Sequence, residues 1–574
     1  MRMIWKASLI TLLLIAIGAG WLWWNRVQSV DMSRYVPADS IIYAEANSLP
    51  EIISAFGSTD AWQSLAPHAG IDVDVAKAVW LSRIAKWTGI GAAEAVVLSR
   101  AQIAVTVLGV EAFEDSASTL KVAPRIALVA ETHCGESRAR AAAEKIVGEF
   151  ASRAYTSPRV ERKDVGGTSF ISWIAPHDAR RKIVAAVSGS VIIVGNNDAA
   201  VEACLAVARG ERPDLGENVG LHQTRKQFTL PDSLAFGFVP QGGAAKLLEV
   251  AVLPYAGQIS SNQNIQSLAA SLAPQLGNKL ISIGAWSARL SNGMIEDRFY
   301  IGLPDGLASR VQTAFAPAEK YDGNASQLLP ADTYQITQYN YRDPEGAWRG
   351  FQAAIASQLD PLSAPFVGVV LDGAMKPYGI ETPREFLRSV GPEIITARLD
   401  ESGNSTVLIV TARDARALRE QLRKRFGTLA RTTKVGKEEM IISPKPERGA
   451  ASFVSNFLIT GSEESVRRCL KAYDAGNTLA ANEHFKRAAE HLPADSQFNV
   501  VTYTDDREST RLFFSRLAGQ NSTDATLPKA KRFEELLKGD SYTITVTELV
   551  DNGFMRQTYS SFGQFSKLVG ELAR

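Results

Sequence analysis

The chain has 574 residues, more than one hydrophobic core usually organises, so two or more domains are expected. Its 62 basic residues face 61 acidic ones, and a formal charge of +1 gives no electrostatic footprint for nucleic acid. With 45% hydrophobic and 21% charged residues, the composition excludes an extensively disordered chain.

The first element is apolar. After "MRMIWK", residues 7–24 carry no charge. As a helix this run rises about 27 Å, enough to cross a hydrocarbon core of roughly 30 Å. Arg2 and Lys6 precede the run, while Arg26 and Arg34 beyond it are partly offset by Asp31. The charge bias keeps the start in the cytoplasm and exports the rest. Trp21, Trp23 and Trp24 at the outer end favour a retained anchor; Gly18 and Gly20 leave a cleaved signal peptide as its rival. Residues 1–30 are therefore read as a signal anchor. It makes a single pass through the membrane with residues 7–24 and leaves the body extracytoplasmic.

One phrase then recurs four times: "YVPADSIIYAE" from Tyr35, "TLPDSLAFGF" from Thr229, "LLPADTYQIT" from Leu328 and "HLPADSQFNV" from His491. Proline stops a preceding helix, and Asp with Ser or Thr bonds to nearby backbone to shape a turn. A β-forming run follows each phrase, so the phrase predicts helix-stop and strand-start rather than a catalytic Asp-Ser pair. The helical stretches "LPEIISAF" and "GGAAKLLEVAV" follow the first two strands.

Other segments recur in the same order. "RIALVAETHCGESRARAAAEKIVGEF" from Arg125 parallels "TVLIVTARDARALREQLRKRF" from Thr406, each a strand followed by a charged amphipathic helix. "VSGSVIIVGNNDAAVEACLAVARG" from Val187 parallels "FVSNFLITGSEESVRRCLKAYDAG" from Phe453, aligning Gly195 with Gly461 and Cys204 with Cys469. His222 and His484 take matching places before the second and fourth phrases. The turn signals "SNG" and "DNG" align Trp286 with Val546 and Gly293 with Gly553, each predicting a type I′ hairpin. The offset shrinks from 293 at Pro37 and Pro330 to 260 at the two hairpins, as loop deletions in a second copy would produce.

The predicted fold is α+β, a tandem duplication of a unit with largely antiparallel sheets behind one N-terminal transmembrane helix. The first unit covers 31–305, a connecting segment 306–328, and the second unit 329–574.

Chemistry is sparse. The chain has no phosphate loop, no H-E-x-x-H and no nucleophile elbow. "GIGAAE" at Gly89 lacks the third glycine of a dinucleotide loop, and "LSRIAKWT" before it reads as helix. The glycines after "VIIV" and "FLIT" are explained by helix caps at Asn196 and Ser462, with Asp198 and Glu464 near the positive helix end. Three cysteines, Cys134, Cys204 and Cys469, form no close pair and read as core residues. His133 beside Cys134 is not expected to act as a thiol-imidazole pair. No catalytic, cofactor-binding or metal-ligating residue is assigned, and no cofactor.

The phrases, with "YGIETPREFLRSVGPEIITARL" at 378–399 and its degenerate counterpart "TGIGAAEAVVLSRAQIAVTVL", resemble a bacterial exported family known as a domain of unknown function. The resemblance implies an envelope location and supplies no activity and no site residues. The expected function is a non-enzymatic, membrane-anchored envelope protein that binds or scaffolds an unidentified partner in the periplasm. Two alternatives remain: a carrier or sensor of a lipid or other apolar ligand, and an envelope hydrolase acting between the two copies.

Overall fold

The computed structural model describes residues 29–69, 91–114, 120–230, 232–247, 279–318, 324–359, 366–373, 382–492, 498–518 and 528–564, with 364, 375 and 380. The whole apolar run 7–24, "LSRIAKWT" and the fourth Pro-Ala-Asp-Ser lie outside the described residues. Among the described residues no helix is long and apolar enough to cross a membrane.

Alternating and β-branched runs form the strands, as their period of two requires. In the first half these are β1 (Ile42–Ala46), β2 (Gln102–Glu114), β3 (Leu120–Glu131), β4 (Arg159–Val165), β5 (Thr168–Ala175), β6 (Asp178–Ser188), β7 (Val191–Gly195), β8 (Ser233–Val239), β9 (Ile283–Ser291) and β10 (Met294–Gly302). The second half contributes β11 (Gln335–Asn340), β12 (Val390–Arg398), β13 (Thr406–Ala412), β14 (Arg431–Val435), β15 (Glu438–Ile442), β16 (Ala450–Val454), β17 (Phe457–Gly461), β18 (Val500–Asp505), β19 (Tyr542–Val550) and β20 (Gly553–Ser560).

Pairing runs β4-β5-β6-β7-β3-β2-β1-β8-β9-β10 through the first half. Through the second it runs β14-β15-β16-β17-β13-β12-β11-β18-β19-β20. The two orders are the same. β10 then pairs with β20, from Ile295 opposite Ser560 to Gly302 opposite Gly553, and joins the halves into one continuous antiparallel sheet.

The seam is nearly symmetric. The hairpins close at Ser291–Met294 and at Val550–Gly553, so equivalent positions in these strands differ by 259. Arg298 and Gln557 are therefore equivalent, and they stand opposite each other at the seam. A pseudo-twofold axis passes through that pair, the arrangement of an isologous dimer interface within one chain.

This register corrects the alignment of the two Asn-Gly turns. Asn292 and Gly293 have φ of 49° and 73°, as a type I′ turn needs, whereas Asp551, Asn552 and Gly553 have no positive φ. The equivalent of Gly293 is Asn552, and that of Trp286 is Thr545 rather than Val546. A slip of one residue moves every side chain to the other face. Val546 belongs to the core of its half, and its true equivalent is Ser287. Gly553 is glycine for another reason: a Cβ there would overlap the carbonyl oxygen of Ile301 across the seam.

The first and third phrases build one turn twice. Ser40 Oγ donates to the Pro37 carbonyl at 2.6 Å, and Thr333 Oγ1 to that of Pro330 at 2.7 Å. Both prolines bridge to the segment before a later helix, Pro37 to Asp214 and Pro330 to Thr478. The phrase thus fixes the start of β1 and β11 against the far side of each half. In the second phrase, Ser233 Oγ accepts from Leu230 N at 2.8 Å.

Each half has its own core beneath its helices. Tyr43, Phe236, Phe238, Ile193, Cys204 and Leu221 are buried in one; Ile336, Tyr503, Ile459, Cys469 and Leu470 in the other. A third cluster joins the halves, with Trp62 and Leu65 from the first against Phe514, Leu537 and Phe562 from the second. Each such side chain contributes about 1.5–3 kcal/mol on burial.

The connecting segment holds a packed helix, Asp305–Ala314. It buries Leu307, Ala308 and Val311 against Ala354, and Gln312 Nε2 donates to the Asp551 carbonyl at 2.8 Å. Residues 319–323 of that segment lie outside the described residues.

Candidate functional site: an ion-paired cleft and a buried clasp

Most of the singled-out residues have structural partners. The cap of the helix Asp198–Ala208 is Asn197, not Asn196: its side chain accepts from Ala200 N at 2.8 Å. Asn196 is an extra residue relative to the second half, and it braces β3 by accepting from Ile126 N and donating to the Pro124 carbonyl. Ser462 caps the helix Glu463–Ala475 by accepting from Ser465 N at 3.1 Å. Cys204 and Cys469 each lie seven residues beyond the cap and are fully buried, and burial pushes both thiols up to about 12.

The histidines do not coincide. Helices Val219–Phe228 and Glu483–Ala489 are capped by Asn218 and Asn482, which makes His222 the fourth residue after its cap and His484 only the second. The sequence match before the prolines misses this because the spacing from cap to proline differs between halves. His222 Nε2 meets the Gly216 carbonyl, and His484 Nδ1 lies 3.2 Å from Arg487. His133 has φ of 52° and turns its Nε2 to Gln102 Oε1 at 3.1 Å. Among the described residues no group of three or more His, Cys, Asp or Glu could hold a metal ion.

A cleft of about 250 Å³ opens in the second half beside the third phrase. Asp332 of that phrase lines it, and β18 and two helices, Arg507–Ala518 and Pro528–Asp540, supply most of the charge. Arg507 Nε reaches Asp505 Oδ1 and Oδ2 at 2.8 and 2.7 Å. Arg511 forks onto Glu534 at 2.9 and 2.6 Å, tying the two helices together and pulling the Glu534 carboxyl below its usual range. Tyr334 also lines it, with the Arg398 guanidinium over its ring at 5.6 Å from the centroid, and burial pushes its phenol up. Ser402 and Ser405 hold the Asp400 carboxyl well down.

Six lining carboxylates face three lining cations. Arg507 and Arg511 are already forked onto carboxylates, so an anion would have to displace them. The surplus carboxylates suit a polar or cationic partner group, and the charged walls do not suit an apolar ligand.

The first half differs at this place, although its residues 248–278, between the helix after β8 and β9, lie outside the described residues. There the helix after β8 starts Gln241-Gly242-Gly243, where the second half has Arg507-Glu508-Ser509. A Cβ on Gly243 would collide with the carbonyl oxygen of Ile41, so glycine lets the helix settle onto the start of β1. The cleft draws its lining from four separated stretches, around 332, 400, 505 and 534, which is why no local motif announces it.

A second charged constellation lies where the described chain begins. Val30 N donates to Gln102 Oε1 at 2.7 Å, and Gln102 Nε2 returns a bond to the Val30 carbonyl at 3.0 Å. Asp31 Oδ1 accepts from Ser33 N and Ser33 Oγ and from Arg225 Nη1 at 3.1 Å. Arg225 also donates through Nη2 to Glu45 Oε2 at 3.3 Å, and Tyr43 OH to the same oxygen at 2.6 Å. Burial pushes the Glu45 carboxyl up, with Arg225 opposing it. The Asp31 carboxyl is held below its usual range by Ser33 and Arg225, against burial.

Set against known protein families, curated proteins and solved structures, the chain matches none.

Proposed function

We propose that the chain is a tandem duplication held at a bacterial membrane by residues 7–24, and that its exported body binds or scaffolds rather than catalyses. The observation that carries this reading is the clasp at Val30 and Asp31. The body grips its own chain within six residues of Trp24, and that stretch spans at most about 20 Å when extended. An anchored body with so short a tether stands against the membrane surface and presents the rest of the sheet to the envelope. The shared strand order of the two halves supports duplication, and the polar cleft supports recognition of a polar partner more than carriage of an apolar one.

The test is fractionation of a bacterial host producing the full chain, with protease added to intact and to opened cells. Membrane-bound protein that resists alkaline extraction, with its body cut only from the extracytoplasmic side, is the expected result. A soluble, full-length cytoplasmic protein would overturn the anchor; a soluble periplasmic product lacking the first residues would replace it with a cleaved signal. Cross-linking in those membranes then identifies the partner.

A further inference from the structure

Beyond β20 the chain turns back over the seam. Gly563, with φ of 72°, makes the turn, and a Cβ there would crowd the Ile295 side chain. Phe562 lies between the halves, stacked on Phe56 of the first at 5.7 Å and 5.2 Å from Phe513 of the second. Gln564 N donates to Asp297 Oδ2 at 2.9 Å, while Asp297 Oδ1 accepts from Trp286 Nε1 at 2.9 Å. Residues Ser561–Gln564 thus strap the second half onto β10 of the first.

Asp297 is wholly buried beneath this strap. Burial pushes its carboxyl up to about 6, against the Gln564 and Trp286 donors and Arg556. The charged groups that reach it are Arg556 from β20 and Glu296, its neighbour in β10, which adds to the rise. β9 and the strap face it with neutral donors.

We propose that Ser561–Gln564 is an acid-tightened strap: a proton on Asp297 holds it down on the seam, and loss of that proton loosens it. Lifting the strap admits water to the carboxyl group. Water stabilises the ionised form far more than the neutral one, so ionisation favours the lifted state and protonation the closed one. Taking an ordinary carboxyl for the lifted state, the lifted-to-closed ratio rises about tenfold between pH 5 and pH 8.

The test is hydrogen exchange on the full chain, reading the Phe562 and Gln564 amides and the Trp286 indole as protection factors corrected for intrinsic rate. Protection is expected to fall about tenfold from pH 5 to pH 8. Asp297→Asn, which keeps the side chain neutral, should hold protection high at both. Phe562→Ala loosens the strap without touching the carboxyl, and should lower protection by a similar factor at both while keeping the roughly tenfold pH effect. Wild-type protection that is the same at the two pH values, or that rises with pH, overturns the proposal. So does an Asp297→Asn protein that retains the full pH dependence.

Discussion

The two halves fill one slot in opposite ways. In the first half Tyr43, Glu45 and Arg225 form a buried charged cluster against Asp31. Strands β1 and β11 start at equivalent residues, so Tyr43 and Glu45 correspond to Ile336 and Gln338. Arg225, seven residues after its helix cap, corresponds to Ala489. The second half therefore puts an apolar side chain, an amide and a methyl where the first puts a phenol, a carboxylate and a guanidinium. Gln338 is satisfied by donating to Glu393 Oε1 at 2.8 Å. The fold does not need charge at these three positions, and buried ion pairs are weak stabilisers in any case. What distinguishes the first half is that its cluster grips Asp31, at the point where the chain comes in.

That comparison breaks most visibly at Arg225. Arg225→Ala leaves Glu45 buried without a counter-charge, and denaturant unfolding should show a loss of about 3–5 kcal/mol. Installing the second half's residues together, Tyr43→Ile, Glu45→Gln and Arg225→Ala, should restore most of it. A triple variant as unstable as the single one would show that the slots are not equivalent.

A seam charge provides the next effect. Asp297 titrates near 6 when folded, above the ordinary carboxyl value of 3.8, so the folded state binds its proton more tightly. Its ionisation therefore destabilises the fold at neutral pH, and stability rises as pH falls through 6 toward 4. Asp297→Asn should raise stability at pH 8 by up to about 3 kcal/mol, less the lost acceptor, with the gain vanishing by pH 4. Denaturant curves at the two pH values check it. Gly553→Val pushes a side chain into the Ile301 carbonyl and should lower the thermal midpoint by the equivalent of about 1–3 kcal/mol. Smallest is Arg511→Ala in the cleft, whose half-exposed ion pairs should contribute below about 1 kcal/mol. A larger loss there would mean that the two helices depend on the fork to hold the cleft open.

Much of the architecture is legible in local chemistry. The Pro-Ala-Asp turns, the capped helices after β7 and β17, and the equivalent Cys204 and Cys469 all follow from short-range rules of bonding and burial. The errors arise where short identity and strand geometry disagree. Asn-Gly in both hairpins invites an alignment that is one residue out, because turn chemistry governs Gly293 and close approach across the seam governs Gly553. Asn196 and Asn197 offer two caps, and only the position of the helix decides between them. The cleft is invisible for a different cause: its carboxylates are assembled by tertiary packing from distant stretches. Whether two similar units share one sheet or stand apart depends on a single strand pair that local sequence does not encode.

That strand pair also sets a timetable. β20 follows β10 by roughly 250 residues, so at 5–20 residues per second the ribosome needs about 13–50 s to supply the partner. Until then β10 is the open edge of a nearly finished half, a template for any passing strand, including β10 of a neighbouring nascent chain. Its centre reads Glu296-Asp297-Arg298. Charge in the middle of an edge strand discourages stray pairing, and the finished protein silences it with Arg289 and Arg298 on Glu296 and with the strap on Asp297. The ionisable groups that weigh on the mature seam are thus the ones that guard the chain against swapping while it is still being made.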